Sequence, residues 1–239
     1  MESTERQKYL IVVAGGSGSR MGASVPKQFL ELDGKAILHR TVGKFTDAIP
    51  GIKVITVLPG QYIQSWKDYC SLRSFFCRQR IVEGGFTRFH SVKNGLEAVP
   101  DGALVAIHDG VRPLISEKMI REMFSMAEDV PALVPVVPCV DTMKVLRKNN
   151  ETGELETVYG ADVDRSVLYA AQTPQIFRSE LLRHAYSQPF DTSFTDDASV
   201  AAHAGIPLSY YIGERTNIKI TTREDLPLAR ALLSLFPGL

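Results

Sequence analysis

Tyr9-Leu10-Ile11-Val12-Val13-Ala14-Gly15-Gly16-Ser17-Gly18-Ser19-Arg20-Met21-Gly22 is an apolar run that breaks at once into glycine. Its apolar part is β-branched and bounded by glycines, which predicts a buried strand. The glycines let the backbone take positive φ and come close to a ligand. Successive N–H groups in such a loop turn toward an anion, usually a phosphate. Arg20 inside the loop and Lys27 just after it add two cations. The stretch therefore points to a nucleoside triphosphate wrapped by Ala14, Gly15, Gly16, Ser17 and Gly18. A tight turn without a ligand is the plainer alternative.

Two other phosphate loops fit less well. A P-loop ends in Gly-Lys-Ser/Thr, whereas the Gly-Lys pairs here are Gly34-Lys35-Ala36 and Gly43-Lys44-Phe45. The dinucleotide fingerprint fails because Gly16-x-Gly18-x-x-x-Gly22 is one residue too long. Its second strand also ends in Val57-Leu58-Pro59, with no acid for a ribose.

Outward from the loop, strand and helix alternate. Strands are expected at 53–58, 80–83, 103–108 and 132–137. Helices are expected at 37–45, 61–72, around Phe89 to Val99, and at 117–128 with Ser116 as cap. The strands are apolar throughout rather than alternating, as in a parallel sheet covered on both faces. From Asp141 to about Gln172 helical periodicity stops. Residues 142–147 and 156–159 look like a hairpin across the polar turn 148–153. Such an arm buries little alone, so it folds back or packs on a second copy, and a homodimer is expected. Helices return at 179–186 and 195–204, a strand at 208–212, and a last helix from Thr222. Thr222-Arg-Glu-Asp225 resembles a capping box there, with Leu226, Ala229, Leu233 and Phe236 inward.

The chain has 239 residues, enough for one large domain with a substantial core. Its 27 basic and 27 acidic residues balance, which argues against nucleic acid or an anionic membrane as partner. Cys70, Cys77 and Cys139 are odd in number and lack metal spacing, as expected of reduced thiols in a cytoplasmic protein. The polar leader is neither a signal nor a transit peptide, and no apolar run reaches membrane-spanning length.

Ligands of open parallel sheets sit outside the carboxyl ends of the strands. Those ends supply the glycine loop, Glu83-Gly84-Gly85 with Arg88 and Ser91, and His108-Asp109-Gly110-Val111-Arg112-Pro113. Asp109 there suits Mg²⁺, which takes one or two carboxylates plus phosphate oxygens; a helix cap or loop turn is the alternative. Arg112 either braces the loop by pairing with Asp109 or meets a ligand. Gly85 and Ser91 are candidates for the edge of a base, and His108 for a hydrogen-bonded core residue. Arg165, Thr173, Thr195 and Lys219 carry no local motif; alone, Thr195 and Thr222 read as caps and Lys219 as a solvated charge.

Taken together, Ala-Gly-Gly-Ser-Gly-Ser-Arg-Met-Gly…Pro-Lys-Gln-Phe, His-Asp-Gly-Val-Arg-Pro, Asp141-Thr-Met-Lys144, Gln-Thr-Pro-Gln, Thr-Asp-Asp-Ala and Asn-Ile-Lys-Ile-Thr-Thr follow a known order. The chain resembles the 2-C-methyl-D-erythritol 4-phosphate cytidylyltransferase family from about Tyr9 to Leu233. The resemblance implies an α/β, Rossmann-like, mostly parallel sheet with helices on both faces and a protruding β-arm. It implies a single nucleotidyltransferase domain over 1–239, with 141–172 as the dimerising arm. CTP and Mg²⁺ are the implied needs, and a polyol phosphate the second substrate. By position, Arg20 and Lys27 would stabilise charge on the α-phosphate, Asp109 would bind metal, and Gly85 and Ser91 would meet cytosine. Arg165, Thr173, Thr195 and Lys219 would hold the substrate phosphate, with Arg165 and Thr142 reaching in from a partner subunit. Gly110 departs from the alanine common there. Ribitol-5-phosphate cytidylyltransferase is the nearest sibling; Asp164-Arg165 and Thr195-Asp-Asp-Ala198 favour the methylerythritol enzyme. A non-catalytic nucleotide sensor and an NAD-dependent oxidoreductase are the readings from other classes.

Overall fold

The computed structural model describes residues 5–15, 26–161, 163–236 and 238. In chain order come β1 (Lys8–Val13), β2 (Glu31–Leu32), β3 (Lys35–Ala36), α1 (Ile37–Ala48), β4 (Lys53–Leu58), α2 (Gly60–Leu72), β5 (Gln79–Glu83) and α3 (Arg88–Leu96). Then follow β6 (Leu104–Asp109), α4 (Glu117–Met126), β7 (Ala132–Pro138), β8 (Leu146–Lys148), β9 (Leu155–Thr157), β10 (Tyr169–Ala171) and β11 (Gln175–Arg178). The chain closes with α5 (Ser179–Ala185), α6 (Asp197–His203), β12 (Ser209–Ile212) and α7 (Asp225–Leu235).

The main sheet runs β10-β7-β11-β6-β1-β4-β5, with β12 also on β7. β1 pairs in parallel with β4 on one side and β6 on the other. β5 extends the parallel half beyond β4. The sheet is mostly parallel, as the continuous apolar strands predict; β10 and β11 are antiparallel exceptions.

Alternate residues of each strand serve two cores, which is why the strands are apolar throughout. Leu10 and Val12 of β1 join Leu38 and Phe45 of α1, Trp66 of α2 and Ile120 of α4. Ile11, between them, points to the other face with Phe89 and Val92 of α3, Leu182 of α5 and Val200 of α6. A smaller cluster seats α7 through Ala229 against Leu32, Ile37 and Val111. The Asp33-Gly34 turn joins β2 to β3 with positive φ at both residues (52° and 74°), the geometry a two-residue hairpin demands.

Four sequence expectations are corrected. The arm strands are shorter than expected: β8 and β9 pair only over Leu146↔Thr157, Arg147↔Glu156 and Lys148↔Leu155. α6 starts at Asp197, not 195, because Asp196 supplies the better cap; its carboxylate accepts from Ser199 N–H at 2.8 Å while Ser199 Oγ accepts from Asp196 N–H at 3.1 Å. α7 starts at Asp225, not Thr222. Its carboxylate accepts from the backbone N–H groups of Thr221 (2.7 Å) and Thr222 (2.8 Å), closing a turn ahead of the helix. Phe236 is exposed because it is the residue that ends α7, where the backbone leaves helical geometry (φ −128°, ψ 80°).

Candidate active site

After β1 the chain goes to β4 and β5 on one side, then crosses to β6 on the other. The strand order therefore reverses between β1 and β6, and a crevice opens at their carboxyl ends. Val13 lies in register with Asp109 there. The loop starts are fixed by backbone hydrogen bonds: Ala14 N–H donates to Val57 O and Gly110 N–H to Val13 O, each at 2.9 Å. A cleft of about 290 Å³ occupies this place, lined among others by Gly15, Lys27, Gly85, Arg88, Asp109 and Lys219. Among the described lining residues, three cations face one carboxylate, although the chain as a whole is neutral.

Asp109 is the hub. Its Oδ2 lies 3.1 Å from Arg112 Nε and 3.0 Å from Lys219 Nζ. Burial alone would raise its carboxyl pKa, but Lys219, Arg88 and Arg112 outweigh burial and hold it well below the usual carboxylate range. The strap after β12 anchors these cations. Arg112 Nη1 donates to Asn217 O at 2.8 Å, and the buried Asn217 amide donates to Thr173 O at 2.9 Å. Thr173 stands where the β10–β11 ribbon slips by two residues against β7, from Ala171↔Val136 to Ile176↔Leu133. That slip carries its hydroxyl to Asp109 N–H (3.0 Å) and His108 Nδ1 (3.0 Å).

His108 is fully buried, and its Nε2 lies 3.2 Å from Arg112 O. Burial pushes its pKa down to about 4, so it is neutral near pH 7 and has both ring nitrogens engaged. It is the core histidine that its position predicts. Arg112 braces the loop through Asp109, one of its two expected roles. Lys219 is exposed to solvent as its sequence position suggests, yet its ammonium also pairs with Asp109 and so joins that cluster.

Arg88, which has no assigned role in the sequence reading, turns out to be structural to the cleft. Its guanidinium meets the fully buried Asp197 of α6 in a two-pronged pair, Nη1–Oδ1 2.9 Å and Nη2–Oδ2 2.5 Å. Tyr186 O–H donates to the same carboxylate at 2.5 Å. Desolvation works against the Arg88 charge, but Asp197 more than compensates and raises its pKa. Gln28 is a second unforeseen residue. It is buried, and its amide donates to Ala14 O at 2.9 Å, tying the short 3-10 turn Lys27–Phe29 to the end of β1. Nothing local marks either residue: the Arg88 partner is 109 positions away.

The remaining expected residues fall into three groups. Ala14, Gly15, Lys27, Gly85, Ser91, Asp109 and Lys219 line the cleft. Ser91 Oγ there accepts from Gly85 N–H at 3.1 Å and donates to Thr87 O at 2.9 Å, so these two candidates also form one turn. Thr142, Arg165 and Thr195 are exposed and outside their own chain's cleft; Arg165 Nη1 donates to Val140 O at 2.8 Å. Gly16, Ser17, Gly18 and Arg20 lie outside the described residues.

Cations gathered at one cleft suit the binding and placement of phosphate groups. The chain is a nucleotidyltransferase by fold and by relatives. The family model for 2-C-methyl-D-erythritol 4-phosphate cytidylyltransferase matches residues 9–235, and the chain belongs to that family. It is 44% identical to the Porphyromonas gingivalis protein of that name, over 96% of this chain and 99% of the other. Identity to the Bacteroides thetaiotaomicron protein is also 44%, over 94% and 98%. Among solved structures, the Thermus thermophilus enzyme superposes with TM-score 0.72 at 30% identity, covering 96% of this chain and 99% of that one. The 4-diphosphocytidyl-2C-methyl-D-erythritol synthase of Anaerococcus prevotii gives TM-score 0.77 at 27% identity, covering 96% and 99%.

Proposed function

We infer that this chain joins CTP to 2-C-methyl-D-erythritol 4-phosphate, giving 4-diphosphocytidyl-2-C-methyl-D-erythritol and pyrophosphate for isoprenoid precursors. Family membership supports the reaction, and the cleft supports how it runs. The observation that carries the mechanism is that Lys27 and Lys219 line one cleft with Asp109, Lys219 pairing with its carboxylate. The acceptor phosphate is an anion at neutral pH and needs no base. Its oxygen attacks the α-phosphorus of CTP, a new P–O bond forms, and the bond to pyrophosphate breaks. The chain's task is to place the two anions in line and offset their charge.

Lys27, with Arg20, is assigned to the charge that grows on the α-phosphate. Lys219, Thr173 and Thr195 are assigned to the acceptor phosphate, and Gly85 and Ser91 to the cytosine edge. Asp109 fits Mg²⁺: one ionised carboxylate at the cleft floor suffices when phosphate oxygens complete the shell. No group of three or more acidic, histidine or cysteine side chains is gathered for a metal among the described residues, consistent with an ion that arrives with the nucleotide. Bound there, Mg²⁺ would lower the charge on the triphosphate.

A homodimer completes the site. Leu155, Tyr159, Val167 and Tyr169 of the arm region are exposed apolar groups, Tyr159 at 93%. Burying them against a second copy would bring Arg165 and Thr142 to the partner's cleft. A cytoplasmic setting suits the three unpaired thiols.

Pyrophosphate release tests the reaction. CTP with methylerythritol phosphate should turn over, and ribitol 5-phosphate should not. Turnover with ribitol phosphate alone would move the chain to the sibling activity; CTP binding without turnover on either would make it a sensor.

A further inference from the structure

Phe86 is fully exposed, yet it lines the cleft between Gly85 and Thr87. It is the one aromatic side chain among the described lining residues. Its neighbours explain why it stands uncovered. On one side Gly85 is held to Ser91, and a Cβ on Gly85 would fall 2.4 Å from the His90 Cβ. On the other, Thr87 caps α3, its side chain accepting from His90 N–H. Both flanks of the turn are thus pinned to α3, and the ring between them is left at the rim, uncovered by any described residue.

The cleft's cations account for phosphates, and the Gly85–Ser91 turn offers polar groups for the edge of a base. Neither covers the flat face of the base. We propose that Phe86 is the stacking wall for the nucleobase of the bound triphosphate. The proposal rests on the CTP reading above. An exposed phenyl beside the base-edge turn supplies the π surface, and every base presents a π face. The bound base in turn covers a ring that otherwise faces water.

The test compares two ligands of the full-length protein by calorimetry with Mg²⁺ present: CTP and inorganic tripolyphosphate, which has the charge but no base. Phe86→Ala should weaken CTP binding about 5- to 150-fold, the range of base–aromatic stacking, and leave tripolyphosphate unchanged. Phe86→Tyr should restore CTP affinity and Phe86→Leu should not. Phe86→Trp adds an exposed indole whose emission CTP should quench and tripolyphosphate should not, with the buried Trp66 of the wild type as control. Equal losses for both ligands, no loss for either, or full recovery with leucine would overturn the proposal while the CTP reading stands. A wild type that fails to bind CTP would overturn that reading, and the stacking role with it.

Discussion

At the scale of single residues, chemistry in this cleft is a matter of where charge is fixed. Lys27 sits on the short turn that Gln28 ties to Ala14, so its backbone is set by the end of β1. Lys27→Ala should therefore lower kcat about 100-fold or more, the usual size of a transition-state charge contact, with the melting transition unchanged. Steady-state rates together with a thermal melt check this; wild-type kcat would remove Lys27 from the reaction. The place of Asp109 and its loop was legible in the sequence because the carboxyl end of an apolar parallel strand faces the side where such sheets take ligands. Arg88 and Asn217 were not, since their meaning lies in partners far along the chain: Asp197 for one, Arg112 and Thr173 for the other.

At the scale of elements, the strands that read most clearly are those with continuous apolar character, β1, β4, β6 and β7. Each serves two cores, and the pattern needs no tertiary knowledge. β10 and β11 are only three and four residues long, Tyr-Ala-Ala and Gln-Ile-Phe-Arg; such short runs are ambiguous by themselves, and pairing with β6 and β7 makes them strands. The cost of missing them is the position of Thr173, which only the slip between them explains. The joint between α3 and α6 is an ion pair whose carboxylate is fully buried while the Arg88 side chain keeps 30% exposure at the cleft. Asp197→Ala should destabilise the fold by about 1–3 kcal/mol, because the buried Tyr186 hydroxyl and the Arg88 guanidinium lose their shared partner while the cleft lets water reach Arg88. Urea unfolding measures it; a midpoint equal to wild type would show that water replaces Asp197 at no penalty.

At the scale of the whole molecule, the arm makes a sharper prediction than its shape alone. If Arg165 works in the neighbouring cleft while Lys27 works in its own, the defects Lys27→Ala and Arg165→Ala can be sorted by mixing. Equal amounts of the two inactive proteins, unfolded and refolded together, should regain about a quarter of wild-type activity. Half the pairs are mixed, and each mixed pair has one intact site. Activity no higher than that of the separate proteins would place both residues in the same cleft. The anchoring of Arg165 on Val140 O, out on the arm and away from its own Asp109, also bears on how the catalyst behaves when scarce. If a second copy supplies Arg165 to the cleft, a lone copy is incomplete; output per copy should then decline on dilution, and the reaction order in protein should rise above one. A cell that halves its supply of this chain would then lose more than half of the flux.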